Sequence, residues 1–347
     1  MNTMRMVLFL MVLAALASGE ESRQEEDQKR DAFYWNSLVG RGVNLGNALD
    51  APEEGQWGVR LEENYFDLIA SVGFKSVRIP VRWSAHAGTA PPYAVDKEFL
   101  ARVDWAIEQA LSRELVAIVN IHHYEELCDA PDAHKERFLA LWKQLAEHYS
   151  SYPPTLYFEL LNEPCEQLTN DLWNAYLGEA IRVVRKSNPT RAVVVGPTHW
   201  NNISQLKNLK LPRSDKNIIV TFHYYEPFRF THQGASWAGE ESKAWVGTEW
   251  TATETEKNEI ISHLDQAVRW SKENRRPLYM GEFGANSKAD MASRCSWTRF
   301  VRSEAEKRNI SWAYWEFCAV QFGVYDPAAK KWRKVLLKAL LPESRTD

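Results

Sequence analysis

Leu156-Tyr157-Phe158-Glu159-Leu160-Leu161-Asn162-Glu163-Pro164 is an apolar, strand-like run closed by an amide, a carboxylate and a proline, and a helical pattern follows it over residues 172–186. A short apolar strand leading into an amphipathic helix is half of a βαβ unit, and its repetition demands a parallel sheet. The unit does repeat. Strand patterns fall at residues 42–45, 76–80, 116–121, 156–161, 192–195, 218–222, 278–281 and 311–315, with helical patterns at 99–113, 133–149, 172–186, 256–273 and 294–307. Eight such units close into a (β/α)8 TIM barrel, here a single domain of the α/β class over residues 32–343. An open doubly wound sheet is the alternative, but no glycine-rich phosphate loop follows the first strand.

In an α/β barrel the reacting groups gather where strands end. The polar residues of this chain fall there: Asn47 after the first strand, Arg78 in the second, His122 and His123 after the third, Asn162 and Glu163 after the fourth, His223 and Tyr225 after the sixth, Glu282 after the seventh, and Trp315 with Glu316 ending the eighth. Alternation along a strand gives Glu159, Leu161 and Glu163 one face, with Glu159 deep in the barrel as a structural acid and Glu163 at the mouth. By the same rule Ser76, Arg78 and Pro80 share an inward face, as do Met280 and Glu282, and Thr221, His223 and Tyr225.

Two carboxylates at separate strand ends are the minimal equipment for hydrolysing a glycosidic bond: one protonated acid for the departing oxygen, one carboxylate for the anomeric carbon. Arg78 is expected to keep the attacking carboxylate ionised, with Tyr225 donating to the same oxygen. The Asn162 amide would meet the sugar 2-hydroxyl, His122 and His223 would hold hydroxyls and neighbouring side chains, and Trp315 would floor the reacting sugar.

Composition bounds the partners. With 45% apolar residues, 25% charged residues and a formal net charge of −4, the chain has ample core material and no basic excess for nucleic acid or anionic membranes. Its 15 Trp, 13 Tyr and 14 Phe suit sugar faces as well as cores. Residues 1–17 read as a secretory signal peptide, with an apolar run from Met6 and the small-residue site Ala15-Leu16-Ala17. The run is too short for a membrane anchor, which needs ~20 residues. A polar leader, 18–31, follows. A secreted, extracellular, monomeric protein needing no cofactor or metal is expected. Oxidising surroundings permit disulfides; Cys128 and Cys165, each after a strand of the site, are expected to bridge, and Cys295 and Cys318 to remain buried thiols.

The motifs Arg41-Gly42-Val43-Asn44-Leu45-Gly46-Asn47, Val77-Arg78-Ile79-Pro80, Asn120-Ile121-His122-His123-Tyr124-Glu125-Glu126, Leu161-Asn162-Glu163-Pro164, His223-Tyr224-Tyr225-Glu226-Pro227, Gly281-Glu282-Phe283-Gly284 and Tyr314-Trp315-Glu316-Phe317 stand in order along the chain. Together they resemble glycoside hydrolase family five, the cellulase family of retaining (β/α)8 barrels. The resemblance implies that Glu163 is the acid/base and Glu282 the nucleophile. It also places Arg78, His122, Asn162, His223, Tyr225 and Trp315 on recurrent family positions. Several stretches look most like bacterial-type endo-β-1,4-glucanases, some of which also cut β-mannan; there Asn47, Asp50, His123 and Trp237 resemble glycone-side contacts. The implied partner is a β-linked polysaccharide.

Two other classes compete. A metal-dependent barrel hydrolase could use His122, His123, Glu126 and His223, but adjacent histidines on a strand point to opposite faces and would not share an ion. A sugar-binding barrel without catalysis is opposed by the presence of both glutamates.

Overall fold

The computed structural model describes residues 30–343; the expected signal segment 1–17 and nearly all of the leader lie outside them. Asp31, assigned by composition to the leader, instead caps the helix Ala32–Val39 by accepting from the backbone N–H groups of Phe33 and Tyr34.

Eight parallel strands form a closed barrel in chain order: β1 Arg41–Asn44, β2 Ser76–Ile79, β3 Val116–Asn120, β4 Leu156–Glu159, β5 Val193–Val195, β6 Ile218–Tyr224, β7 Leu278–Phe283 and β8 Ser311–Tyr314. Closure runs through β1 and β8, with Arg41 opposite Trp312, Gly42 opposite Ala313 and Val43 opposite Tyr314. Each of the five expected helices is present, beginning a few residues earlier than its apolar periodicity: Lys97–Leu111, Pro131–His148, Asn170–Arg185, Glu254–Asn274 and Met291–Lys307. Polar caps explain most of the difference. Asp96, Thr169, Thr253 and Asp290 each accept from a first-turn N–H, and Thr253 with Glu256 closes a capping box.

The core has two compartments. Inside the barrel pack Val116, Ile118, Tyr157, Val194, Ile219, Tyr279 and Ala313, stoppered from below by Ala32, Trp35 and Val39 of the helix Ala32–Val39. This plug was not anticipated, because an eight-residue helix with little amphipathic contrast does not announce itself. The Tyr157 hydroxyl donates to the Trp35 carbonyl at 2.8 Å and the Asn36 amide donates to the Leu278 carbonyl at 3.0 Å, fixing the plug to two strands. The larger apolar layer lies between strands and outer helices.

Met280 belongs to that outer layer and Tyr279 to the inner one, so Met280 and Glu282 do not share a face as simple alternation predicts. The pairing of β6 with β7 explains it: Phe222 faces Met280, but His223 faces Glu282, skipping Gly281. A bulge adds one residue to a strand and re-aims the side chain after it, and here it turns Glu282 to the barrel mouth. Gly281 fits the bulge because a Cβ would lie 2.6 Å from Thr221 Oγ1.

Candidate active site

Arg78 is the hub of the site. It is fully buried on β2 and donates through Nε and Nη2 to both oxygens of Glu159 at 2.6 and 2.7 Å, through Nη1 to Asn44 Oδ1 at 2.9 Å and Glu282 Oε1 at 2.7 Å, and through Nη2 to Asn162 Oδ1 at 2.6 Å. A buried guanidinium is tolerated only where its fork is filled, and this one is. Burial alone would favour the neutral form, but the carboxylates of Glu159 and Glu282 hold its pKa well above the usual value. Glu159 is thus the structural acid expected from alternation.

Glu163 reaches the mouth by a different route from the one alternation gives. β4 ends at Glu159, and Glu163 has φ 46, so a left-handed residue beyond the strand aims its carboxylate across the opening. Its Oε1 lies 2.6 Å from His223 Nδ1, and the same nitrogen lies 3.5 Å from Glu282 Oε2. Glu163, His223 and Glu282 each bring one such atom within 4.8 Å of the others. The two carboxylates therefore face each other across a gap on the scale of one glycosidic bond.

Tyr225 donates to Glu282 Oε2 at 2.9 Å. Arg78 holds the other oxygen, so the two donors divide the carboxylate between them and do not converge on one atom. Burial, reinforced by the charges of Glu282 and Glu163, pushes the Tyr225 hydroxyl well above its ordinary pKa and keeps it a donor. With Asn162 Oδ1 taken by Arg78, only the amide nitrogen of Asn162 remains to meet a ligand.

A second group adjoins the first. The His122 ring stacks on Trp315 at 5.8 Å and 12°, the His123 ring meets His122 edge-on at 4.1 Å, and Trp57 meets His123 edge-on at 5.5 Å. Gly46 allows Trp315 to lie against β1's exit, where a Cβ would come within 2.7 Å of the indole. Burial first, then the charges of His123 and Arg78, hold the His122 pKa well below the ordinary value, so it is a neutral ring. His123 has φ 56, and this left-handed turn swings it back beside His122. Adjacency therefore does not force the two rings apart, contrary to the strand-based expectation. Asp50, His122 and His123 bring their polar atoms within 4.8 Å of one another. The other such cluster among the described residues, Glu163, His223 and Glu282, lies against the Arg78 cation, whose Nη1 is 2.7 Å from Glu282, a poor seat for a metal ion.

Asp50 was expected to touch sugar. It is fully buried, and its oxygens accept from Asn47 N at 3.0 Å and Ala48 N at 2.8 Å, so it shapes the loop that presents Asn47. Trp237 is 55% exposed and stands apart from the carboxylates, reaching them through His232 and Tyr225, whose rings meet edge-on at 4.8 Å. Cys128 and Cys165 meet as expected, with sulfurs 2.9 Å apart, but both are thiols, Cys165 donating to Cys128, so the expected bridge is not formed here. Cys295 and Cys318 are buried thiols.

A family model described as Cellulase (glycosyl hydrolase family 5) matches residues 39–321. The chain belongs to glycosyl hydrolase family 5. Among solved structures, Thermotoga maritima Cel5A in complex with mannotriose is similar to this family 5 chain at 51% identity and TM-score 0.87, covering 89% of this chain and 100% of that one. The cellobiose complex of the same protein matches equally well, at 51% identity and TM-score 0.87. Endoglucanase H of Acetivibrio thermocellus is 37% identical over 286 residues, which are 82% of this chain and 30% of that protein. Cellulase/esterase CelE of the same organism is 29% identical, the match covering 36% of its length, so this chain spans about a third of either.

Sequence reasoning missed Trp57, which stands on a turn after β1, and Trp200, in the short left-handed segment after β5. Trp57 is 41% and Trp200 49% exposed, and unburied indoles beside a polar cleft are candidate sugar surfaces. Glu316 was counted among the polar strand ends; it is 1% exposed, with the Asn47 side chain and the backbone amides of Ala319 and Cys318 beside its carboxyl.

Proposed function

We propose that this chain is a secreted, monomeric, retaining endo-β-1,4-glucanase. The observation that carries the reading is the approach of Glu163 and Glu282 to within 4.8 Å across His223. Inverting enzymes need roughly 6.5–9.5 Å between carboxyl groups to admit a water, whereas retaining ones work at ~5–5.5 Å. Glu282, oriented by Arg78 and Tyr225, attacks the anomeric carbon while Glu163 gives its proton to the departing oxygen. Once Glu282 is esterified its charge is gone, and Glu163 then takes a proton from the water that releases the sugar. Asn162, through its free amide nitrogen, is suited to the 2-hydroxyl, a contact that tightens in the transition state.

Glucan is the main substrate in this reading, supported by the endoglucanase names among the relatives. Mannan is the second, supported by the mannotriose complex of a protein 51% identical. Secretion rests on the signal-like segment 1–17 alone.

The test is a panel of carboxymethyl cellulose, barley β-glucan, glucomannan and xylan with product sizes measured, together with azide rescue of Glu282→Ala. Internal cuts in β-glucan and a sugar azide of inverted configuration are expected. An azide product of retained configuration removes Glu282 as the nucleophile, and exclusive cleavage of xylan removes the glucanase reading.

A further inference from the structure

Cys128 and Cys165 stand beside the site without a part in the chemistry described so far. Cys128 sits in the helix Glu125–Asp129 beyond β3, and Cys165 lies two residues after Glu163 in the irregular segment between β4 and the helix Asn170–Arg185. Their sulfurs are 2.9 Å apart although 37 residues separate them in the chain. An S–S bond is about 2.05 Å long, so closing one here takes about 1 Å of movement. Cys128 is 5% exposed and Cys165 partly exposed, which leaves one side of the pair open to a small reagent. The hydrogen bond from Cys165 draws the Cys128 thiol below its ordinary pKa, and the thiolate is the form that exchanges with a disulfide.

The segment that carries Glu163 leans on the exit of β3. Glu163 and Glu166 are both left-handed, at φ 46 and 50, a conformation that costs free energy at residues other than glycine. Against that cost, Asn162 N donates to the Ile121 carbonyl at 2.8 Å and Gln167 N to the Cys128 carbonyl at 3.0 Å, one tie on either side of Glu163. The Cys128 sulfur itself lies 4.0 Å from the Glu163 carbonyl oxygen. A bond between Cys128 and Cys165 falls between those two ties and fastens the loop at its middle.

We propose that Cys128 and Cys165 are a reversible redox pair whose oxidation to a disulfide clamps the loop of Glu163 to the exit of β3. A low-molecular-weight disulfide is the oxidant: it is cleaved to two thiols, taking up the two electrons and two protons that the cysteines lose as they join by one S–S bond, and a dithiol reverses the step. The bridge closes a stretch of 37 residues, which stabilises the folded chain by restricting the unfolded one. Because the sulfurs already touch, the site keeps its shape, and the gain is in how long the acid's loop stays placed on heating. Only the effect on activity rests on the reading of Glu163 as acid/base.

The test treats the whole folded chain with oxidised glutathione and then with dithiothreitol, following free thiols, cross-linked peptides, Tm and the half-life of activity. Of the four cysteines, two are expected to leave the thiol count, with Cys128 and Cys165 in one cross-linked peptide. Tm should rise by about 5–10 °C, the half-life near the Tm of the reduced chain should lengthen severalfold, and all of these should revert on reduction. Cys165→Ser cannot bridge and should show none of them. Four surviving thiols, a lasting mixed disulfide with glutathione, or a cross-link through Cys295 or Cys318 overturns the proposal, as does a bridge between Cys128 and Cys165 that leaves Tm and half-life where they were. Should Cys165→Ser not fold, the oxidised and re-reduced parent supply the comparison. Glu163→Gln keeps the two readings apart: the bridge and its Tm shift are expected in it, whereas full turnover in that variant would remove the acid/base assignment and leave the bridge standing.

Discussion

At the scale of single residues the site is an exercise in keeping charge where it is useful. Arg78 pairs with Glu159 below at 2.6 Å and with Glu282 above at 2.7 Å, so one buried cation is shared by two buried carboxylates. Glu316 is the contrary case. Burial, then the charge of Asp50, pushes its carboxyl well above the usual carboxylate range, although the amides of Ala319, Asn47 and Cys318 pull the other way. The folded chain therefore retains this proton over a pH range where the unfolded chain has lost it, and stability falls as pH rises through that range. Glu316→Gln is expected to raise Tm at neutral pH relative to the parent, with the difference vanishing below about pH 4, where the unfolded carboxyl is also protonated. Thermal unfolding across a pH series measures this; a pH-independent difference would assign the effect to packing.

At the scale of elements, strand ends and their irregularities do the aiming. The bulge at Gly281 turns Glu282 toward His223, and the Trp315 carbonyl crowds Gly284 so closely that a Cβ would lie 2.2 Å from it. Gly284→Ala should push apart the exits of β7 and β8, costing about 1–3 kcal/mol as overpacking does. Because Glu282 and Trp315 ride on those exits, kcat should fall by more than the stability loss explains at 25 °C. Urea unfolding and steady-state kinetics on one preparation test it, and an unchanged kcat would show that the exits absorb the methyl group elsewhere. Element identity was legible from the sequence because each short apolar run is followed by an amphipathic one. The aim was not: a one-residue bulge leaves no trace in composition, and positive φ at Glu163 falls on a residue type that rarely adopts it.

At the scale of the whole molecule the barrel separates stability from chemistry along its axis. Trp35, 2% exposed, plugs the bottom against Tyr157 with ring centroids 6.3 Å apart, while Glu163 and Glu282 stand at the mouth. Trp35→Ala should cost about 3–5 kcal/mol, the usual loss for a buried tryptophan, and leave kcat at 25 °C within about twofold of the parent. Denaturant unfolding beside the kinetics checks both halves, and a large fall in kcat without a fall in stability would mean that the plug communicates with the mouth. The amino-acid order by itself determined the parallel barrel, the strand ends that carry the polar groups, and the glutamate pair, because periodicity and strand-end position are local properties. Only the tertiary structure decided which oxygen of Glu282 each donor holds, that the Cys128 and Cys165 thiols meet without a covalent bond, and that Asn201 stands behind His223. Those facts depend on where segments more than twenty residues apart come into contact, and on left-handed turns whose cost is met by the contacts they make possible.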